Sequence, residues 1–113
     1  MRLTAMAADR TLGALGICAK ARGLIFGTPM VCDALAGKQK PRLVLAATDN
    51  SDGTDKRLRD KCTYYGVRLV QLDADGDTLA RAVGKSARLA AVAVSDENLC
   101  RMVLRAMEEN HNV

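Results

Sequence analysis

Two stretches of the chain are apolar at consecutive positions: "RLVLAA" over Arg42–Ala47 and "LAAVAV" over Leu89–Val94. A strand of that kind has no solvent face, so both are expected to be covered on two sides inside an α/β fold. Around them the apolar residues recur at helical spacing. Leu12, Leu15 and Ala19 mark a first helix from about Thr4 to Lys20, with Gly23 placed to stop it. A second helix carries Val31, Ala34 and Leu35 and ends at Gly37; a third begins at Thr54, carries Leu58, Cys62 and Tyr65, and ends at Gly66. Its outer face holds Lys56, Arg57, Arg59 and Lys61. "DADGD" opens a short fourth helix with Leu79, Ala82 and Val83 inward, closed by Gly84. Ser95 is the expected cap of the last helix, where Asp96 and Glu97 face the helix dipole and Leu99, Met102, Val103 and Ala106 turn inward.

Shorter strands are expected at "LIF" (Leu24–Phe26) and "VRLVQL" (Val67–Leu72), Pro41 ends the connection "KQKPR", and the tail "EENHNV" is expected to fray. Helix and strand thus alternate along the whole chain. That order predicts a three-layer α/β/α sandwich around a central four-stranded sheet, mostly parallel or mixed, as a single domain over 1–113 with its core at about 4–107.

At 113 residues and 49% hydrophobic, the chain suffices for one core and is too short for two. Arg2, Asp9 and Arg10 interrupt the N-terminal stretch, and no apolar run approaches membrane-spanning length, so a cytoplasmic protein with no membrane partner is expected. The 17 Lys and Arg against 13 Asp and Glu give a formal charge of +4, a mild tilt toward polyanions. Phe26, Tyr64 and Tyr65 are the only aromatic residues. A platform for stacking successive bases is therefore hard to build, and any RNA contact must lean on charge and backbone.

Catalytic and metal chemistry find little support. Cys18, Cys32, Cys62 and Cys100 lie far apart without a C-x-x-C pair, and His111 is the single histidine, so small buried thiols in a reducing compartment are expected rather than zinc ligands. "DADGD" begins like a calcium loop, but Thr78 and Gly84 stand where an EF-hand needs Gly and a bidentate Glu. Asp49, Asp52, Asp55 and Asp60 sit in and after a turn, where capping accounts for them. No nucleophile elbow, zinc-protease motif, P-loop or dinucleotide fingerprint occurs, so neither an enzyme nor a cofactor is expected. "GALG" at Gly13–Gly16 lies within the first helix, where close helix packing explains it.

The turn "GTP" at Gly27–Pro29 is the remaining candidate. Thr28 suits an N-cap and Pro29 a first helical position, so helix initiation alone accounts for the triplet. On that basis Thr28→Ala is expected to lower stability by about 1 kcal/mol through lost capping. The same helix start also offers outward N–H groups that can accept a phosphate, with Lys20 and Arg22 just upstream.

The segments "LGALGICAKARGLIFG", "RLVLAATD", "DKCTYYGVRLV" and "TLARAVGK" occur in an order that resembles the ribosomal-protein L7Ae/L30e superfamily, in particular its small stand-alone bacterial members, the YlxQ-like proteins. The resemblance runs from about Leu12 to Met107, and "KCTYYGV" and "LARAVGK" are its most specific parts. It implies an α/β/α sandwich that binds structured RNA, above all kink-turns, through the turn from Gly27 onward and through the loop after the fourth helix, here "GKSAR" over Gly84–Arg88. In the kink-turn binders an Asn and a Glu after the glycine hydrogen-bond guanines of sheared G·A pairs, and a Lys follows one turn later. Pro29, Met30 and Asp33 occupy those positions here. Base-edge recognition is thereby lost, and Asp33 repels phosphate. The resulting expectation is a non-enzymatic, monomeric RNA-binding protein, ribosomal-protein-like or ribosome-associated, with ribosomal RNA among its candidate partners. Its expected contacts are Lys20, Arg22, Gly27, Thr28, Lys85 and Arg88, without kink-turn specificity. The alternative is a protein-interaction module that has lost RNA binding and uses a protein partner.

Overall fold

The computed structural model describes residues 2–111, with side chains described over 10–108. Among these residues the elements run α1 (Arg2–Lys20), β1 (Leu24–Phe26), α2 (Thr28–Ala36), β2 (Leu43–Ala46), α3 (Asp52–Tyr65), β3 (Leu69–Gln71), α4 (Gly76–Ala82), β4 (Ala91–Val94) and α5 (Glu97–His111). The sheet order is β1-β4-β2-β3. The sheet is mixed: β2 and β3 are parallel, whereas β4 pairs antiparallel with both β1 and β2. Residues 108–111 of the expected frayed tail continue α5, and 112 and 113 lie outside the described residues.

All residues of β2 and β4 are buried, as their continuous apolar pattern requires. Alternation divides them between two cores. Leu43, Leu45, Val92 and Val94 join Leu12, Leu15, Leu79 and Val103 on the side of α1, α4 and α5. Val44, Ala46, Ala91 and Ala93 join Val31, Leu35 and Leu58 on the side of α2 and α3. The four cysteines are buried and free: Cys18 and Cys100 belong to the first core, Cys62 to the second, and Cys32 lies on α2 near Cys62. Burial pushes the Cys18, Cys62 and Cys100 thiols up, Cys62 to about 11.

The end of α1 and the start of α5 differ from the sequence expectation. α1 closes with Gly23 N–H donating to Cys18 O at 2.9 Å and Arg22 N–H to Ala19 O at 3.0 Å, so the left-handed residue is Arg22, at φ 61°, and not Gly23. Gly23 serves space instead: a Cβ there would run into Leu99 Cδ1 of α5. At α5 the cap is Asp96 rather than Ser95. The Asp96 carboxylate accepts from Leu99 N–H at 2.9 Å, while the Ser95 hydroxyl donates to Gly23 O at 3.1 Å and ties the end of β4 to the start of β1. α4 opens within "DADGD" as anticipated, with Asp75 accepting from Thr78 N–H, whereas α3 starts at Asp52 rather than Thr54, because Ser51 caps it by accepting from Thr54 N–H.

Gly16 packs against α4, where a Cβ would lie 2.9 Å from Ala82 O, so close helix contact accounts for it; Gly13 faces open space.

The division of labour at the α1 terminus is testable by thermal unfolding. Gly23→Ala should destabilise by about 1–3 kcal/mol through overpacking against Leu99. Arg22→Gly should leave stability within about 1 kcal/mol of the parent and shift it upward, because it relieves a left-handed non-glycine residue.

Candidate nucleic-acid interface

β1 has only three residues, and the chain must leave it and enter α2 at once. Gly27 makes that corner. Its N–H donates to Ala91 O at 2.9 Å, completing the pairing with β4, and its carbonyl accepts the first helical bond from Val31 N–H at 2.9 Å. The backbone there is at φ 85°, ψ 152°, a region open essentially to glycine alone. The N-cap is thus Gly27, not Thr28, and Pro29 is the second helical residue rather than the first. An N-cap must leave the helical conformation, and the corner places that demand on Gly27. Thr28 is already helical, makes no side-chain capping bond, and buries its hydroxyl oxygen without a hydrogen-bond partner among the described residues. The capping loss expected from Thr28→Ala therefore has no bond to remove. Because the ladder opens at Val31 and Pro29 has no N–H, the N–H groups of Thr28 and Met30 have no backbone acceptor among the described residues and are left as donors at the positive end of α2.

The hairpin after α4 reaches this corner. Gly84 turns the chain at φ 79°, Lys85 N–H donates to Ala80 O at 2.8 Å, and the Lys85 ammonium lies 4.4 Å from the centroid of the Phe26 ring. Phe26 immediately precedes Gly27, so the cationic hairpin and the glycine corner meet. A cation–π contact at an exposed site contributes about 0.5–1 kcal/mol, enough to position the ammonium and too little to remove it from an incoming phosphate. On the other side of Gly84, Lys20 and Arg81 border one groove of about 480 Å³ that also exposes Ile17. Sequence reasoning missed Arg81 and the part played by Phe26, although both stand inside the segments it singled out.

Two expected contacts fall elsewhere. Arg22 stands before the start of β1, whereas Gly27 follows its end, and the carbonyl of neighbouring Gly23 is held by Ser95. A strand separates it from the corner. Arg88 is near the hairpin but is engaged within the protein: its guanidinium donates to Asp49 Oδ1 at 2.8 Å, to Asp49 O at 2.9 Å and to Asn50 Oδ1 at 3.1 Å. Asp49 also accepts from Gly76 N–H at 2.9 Å, and a Cβ on Gly76 would lie 2.5 Å from Arg88 Cγ. Arg88 is therefore a brace for the loops behind the corner. Its hydrogen bond holds the Asp49 carboxyl below its ordinary 3.8, so the contact is intact above that pH and is lost only as pH falls through the lowered value.

Met30 is 58% exposed beside the free N–H groups, and Pro29 and Asp33 are exposed as well. None of these side chains is a donor. The corner can grip an anion through backbone and ammonium groups but offers little to read a base edge. Among the described residues no cluster of His, Cys, Asp or Glu could hold a metal ion, and no helix is long and apolar enough to cross a membrane.

A pair of substitutions separates the roles at the corner. Gly27→Ala should cost about 1–3 kcal/mol of stability in thermal or denaturant unfolding, because alanine is forced into a glycine conformation. Thr28→Val should be neutral or stabilising by up to about 1 kcal/mol, since it replaces a buried unpaired hydroxyl by a methyl group. A loss on Thr28→Val would mean that the hydroxyl has a partner after all.

The pattern of the ribosomal protein L7Ae/L30e/S12e/Gadd45 family matches residues 9–103. The chain is 31% identical over 94 residues to RNA-binding protein YlxQ of Bacillus subtilis (strain 168), covering 83% of this chain and 91% of that one. It is 26% identical over 77 residues to RNA-binding protein YlxQ of Enterococcus faecium, covering 68% and 73%. Among solved structures, a protein of unknown function from Bacillus halodurans superposes with a TM-score of 0.77 at 31% identity, over 87% of this chain and 96% of that one. The Giardia lamblia 15.5kD RNA binding protein superposes with a TM-score of 0.75 at 18% identity, over 95% and 89%, a likeness of fold. With the family pattern spanning all four strands and four of the five helices over most of their length, the chain belongs to the ribosomal protein L7Ae/L30e/S12e/Gadd45 family.

Proposed function

We propose that this protein binds structured RNA without catalysing a reaction, gripping phosphates along the ridge formed by the start of α2 and the hairpin at Lys85, in the manner of a ribosomal or ribosome-associated protein. The observation that carries this reading is the Lys85 ammonium over Phe26, which sets a cation against the N–H groups that follow Gly27. Lys20 and Arg81 extend the positive surface along the groove beside Gly84. The curated relatives described above, named as RNA-binding proteins, support the same class of partner. Pro29, Met30 and Asp33 supply no base-reading donors, so the RNA is selected by backbone shape, and preference for a kink-turn over other structured RNA is small.

Titration against a kink-turn RNA, a duplex RNA and an unstructured RNA at several salt concentrations tests this. Neutralising about three phosphates should give a slope of log affinity against log salt of roughly −2 to −3. Reversing the charge of Lys20 and Lys85 together should weaken binding to the structured RNAs more than reversing Arg57 and Arg59 on the outer face of α3. Equal losses would mean diffuse attraction without a site. No binding to any of the RNAs at low salt would leave the protein-interaction alternative, with exposed Met30 as its contact.

A further inference from the structure

A second cleft lies at the other end of the sheet from Gly27. It encloses about 760 Å³ and is lined in part by Lys38, Lys40, Arg42, Arg68, Tyr65 and Ser95, with no carboxylate in its wall. The connection "KQKPR", which reads as a mere link between α2 and β2, supplies three of the four cations. Each is placed by the fold. Pro41 is buried and anchors the link. Arg42 N–H donates to Val94 O at 2.8 Å, and the parallel β2–β3 pairing, in which Val44 N–H donates to Arg68 O at 2.9 Å, brings Arg68 to the same edge. Lys40 donates to Gly37 O at 2.8 Å, and its ammonium lies 4.7 Å from the centroid of the Tyr65 ring.

None of these four cations is in an ion pair among the described residues. The acids nearby are otherwise engaged: Asp96 caps α5 and Glu97 pairs with Arg101 at 2.7 Å. The buried Cys100 thiol responds to this field, since Arg68 and Arg42 act against the burial that raises it. A solvated cationic face normally mixes its charges with carboxylates. Four like charges around one concavity repel each other and are relieved by a polyanion. Beside them Tyr64 meets Tyr65 edge to face, with ring centroids 4.8 Å apart, and is itself 81% exposed. An exposed ring next to a basic groove accepts a base only when that base is unpaired.

We propose that this cleft is a second site, taking the phosphodiester backbone of a short single-stranded RNA on Lys38, Lys40, Arg42 and Arg68 while one unpaired base stacks on Tyr64. It goes beyond the ridge at Gly27 and shares with that reading only the assumption that RNA is the ligand. A protein so equipped contacts folded RNA at one end of its sheet and an unpaired stretch at the other.

The experiment uses the full chain, a fluorescein-labelled heptauridine RNA and a structured RNA, followed by anisotropy. Engagement of four phosphates should give the heptauridine a slope of about −3 in log affinity against log salt. Arg42→Glu with Arg68→Glu should weaken heptauridine binding by about tenfold or more and leave structured-RNA binding within about twofold, because the lost contacts are to the single strand alone. Tyr64→Ala should weaken it about fivefold or more, with Tyr64→Phe restoring most of the loss, as base stacking requires. In the unsubstituted protein, where folding of a variant is not in question, heptauridine should shift amide resonances at 38–40, 42, 64–68 and 95. Shifts confined to 27, 28, 30 and 84–88, or a heptauridine affinity insensitive to the Arg42 and Arg68 reversals, would overturn the proposal. So would displacement by short-chain inorganic polyphosphate together with no loss on Tyr64→Ala, which would leave a generic anion trap. Absence of structured-RNA binding by the unsubstituted protein, with heptauridine bound and sensitive to the Arg42 and Arg68 reversals, would instead overturn the ridge at Gly27 alone.

Discussion

Leu43–Ala46 and Ala91–Val94 run antiparallel, side by side, with every side chain buried, and that pairing dictates the rest of the molecule. Strands with no wet face need a layer of helices on each side, which is why α1, α4 and α5 gather on one face and α2 and α3 on the other. Polar chemistry is then driven out of the middle. Apart from the outer faces of the helices, it emerges at the two ends of the sheet, where strands turn into helices and backbone groups or basic side chains come to the surface. Both candidate contact regions lie at those ends for this reason.

The architecture was legible because burial on both faces and helical spacing are written directly in residue order, as in "RLVLAA" and in Leu58, Cys62 and Tyr65. Helix boundaries were less legible, since capping depends on how the chain arrives. Thr28 and Ser95 are good capping residues by chemistry, yet the abrupt exit from β1 gives the first role to Gly27, and the contact between β4 and β1 diverts the hydroxyl of Ser95 to Gly23. Gly23 and Arg22 show the same competition. The glycine is needed where Leu99 comes close, so the arginine takes the left-handed turn.

The candidate site was legible in part. The closeness of Lys85 to Gly27 follows from the segments that resemble the family and is seen in the Phe26 contact. What residue order could not reveal is which cations are already occupied or which strand ends coincide. Arg88 turns inward to Asp49, and Arg42 and Arg68 become neighbours only through the β2–β3 register. A run such as "KQKPR" looks like an ordinary surface link until the sheet folds Arg68 against it.

The four buried thiols have a use of their own. Two sit in each helical layer, and where burial raises the pKa a folded thiol contributes almost no thiolate at neutral pH. Alkylation must then wait for the surrounding helices to part. The molecule thus carries built-in clocks on either face, able to register separately how often each half opens and whether a bound strand slows one without touching the other.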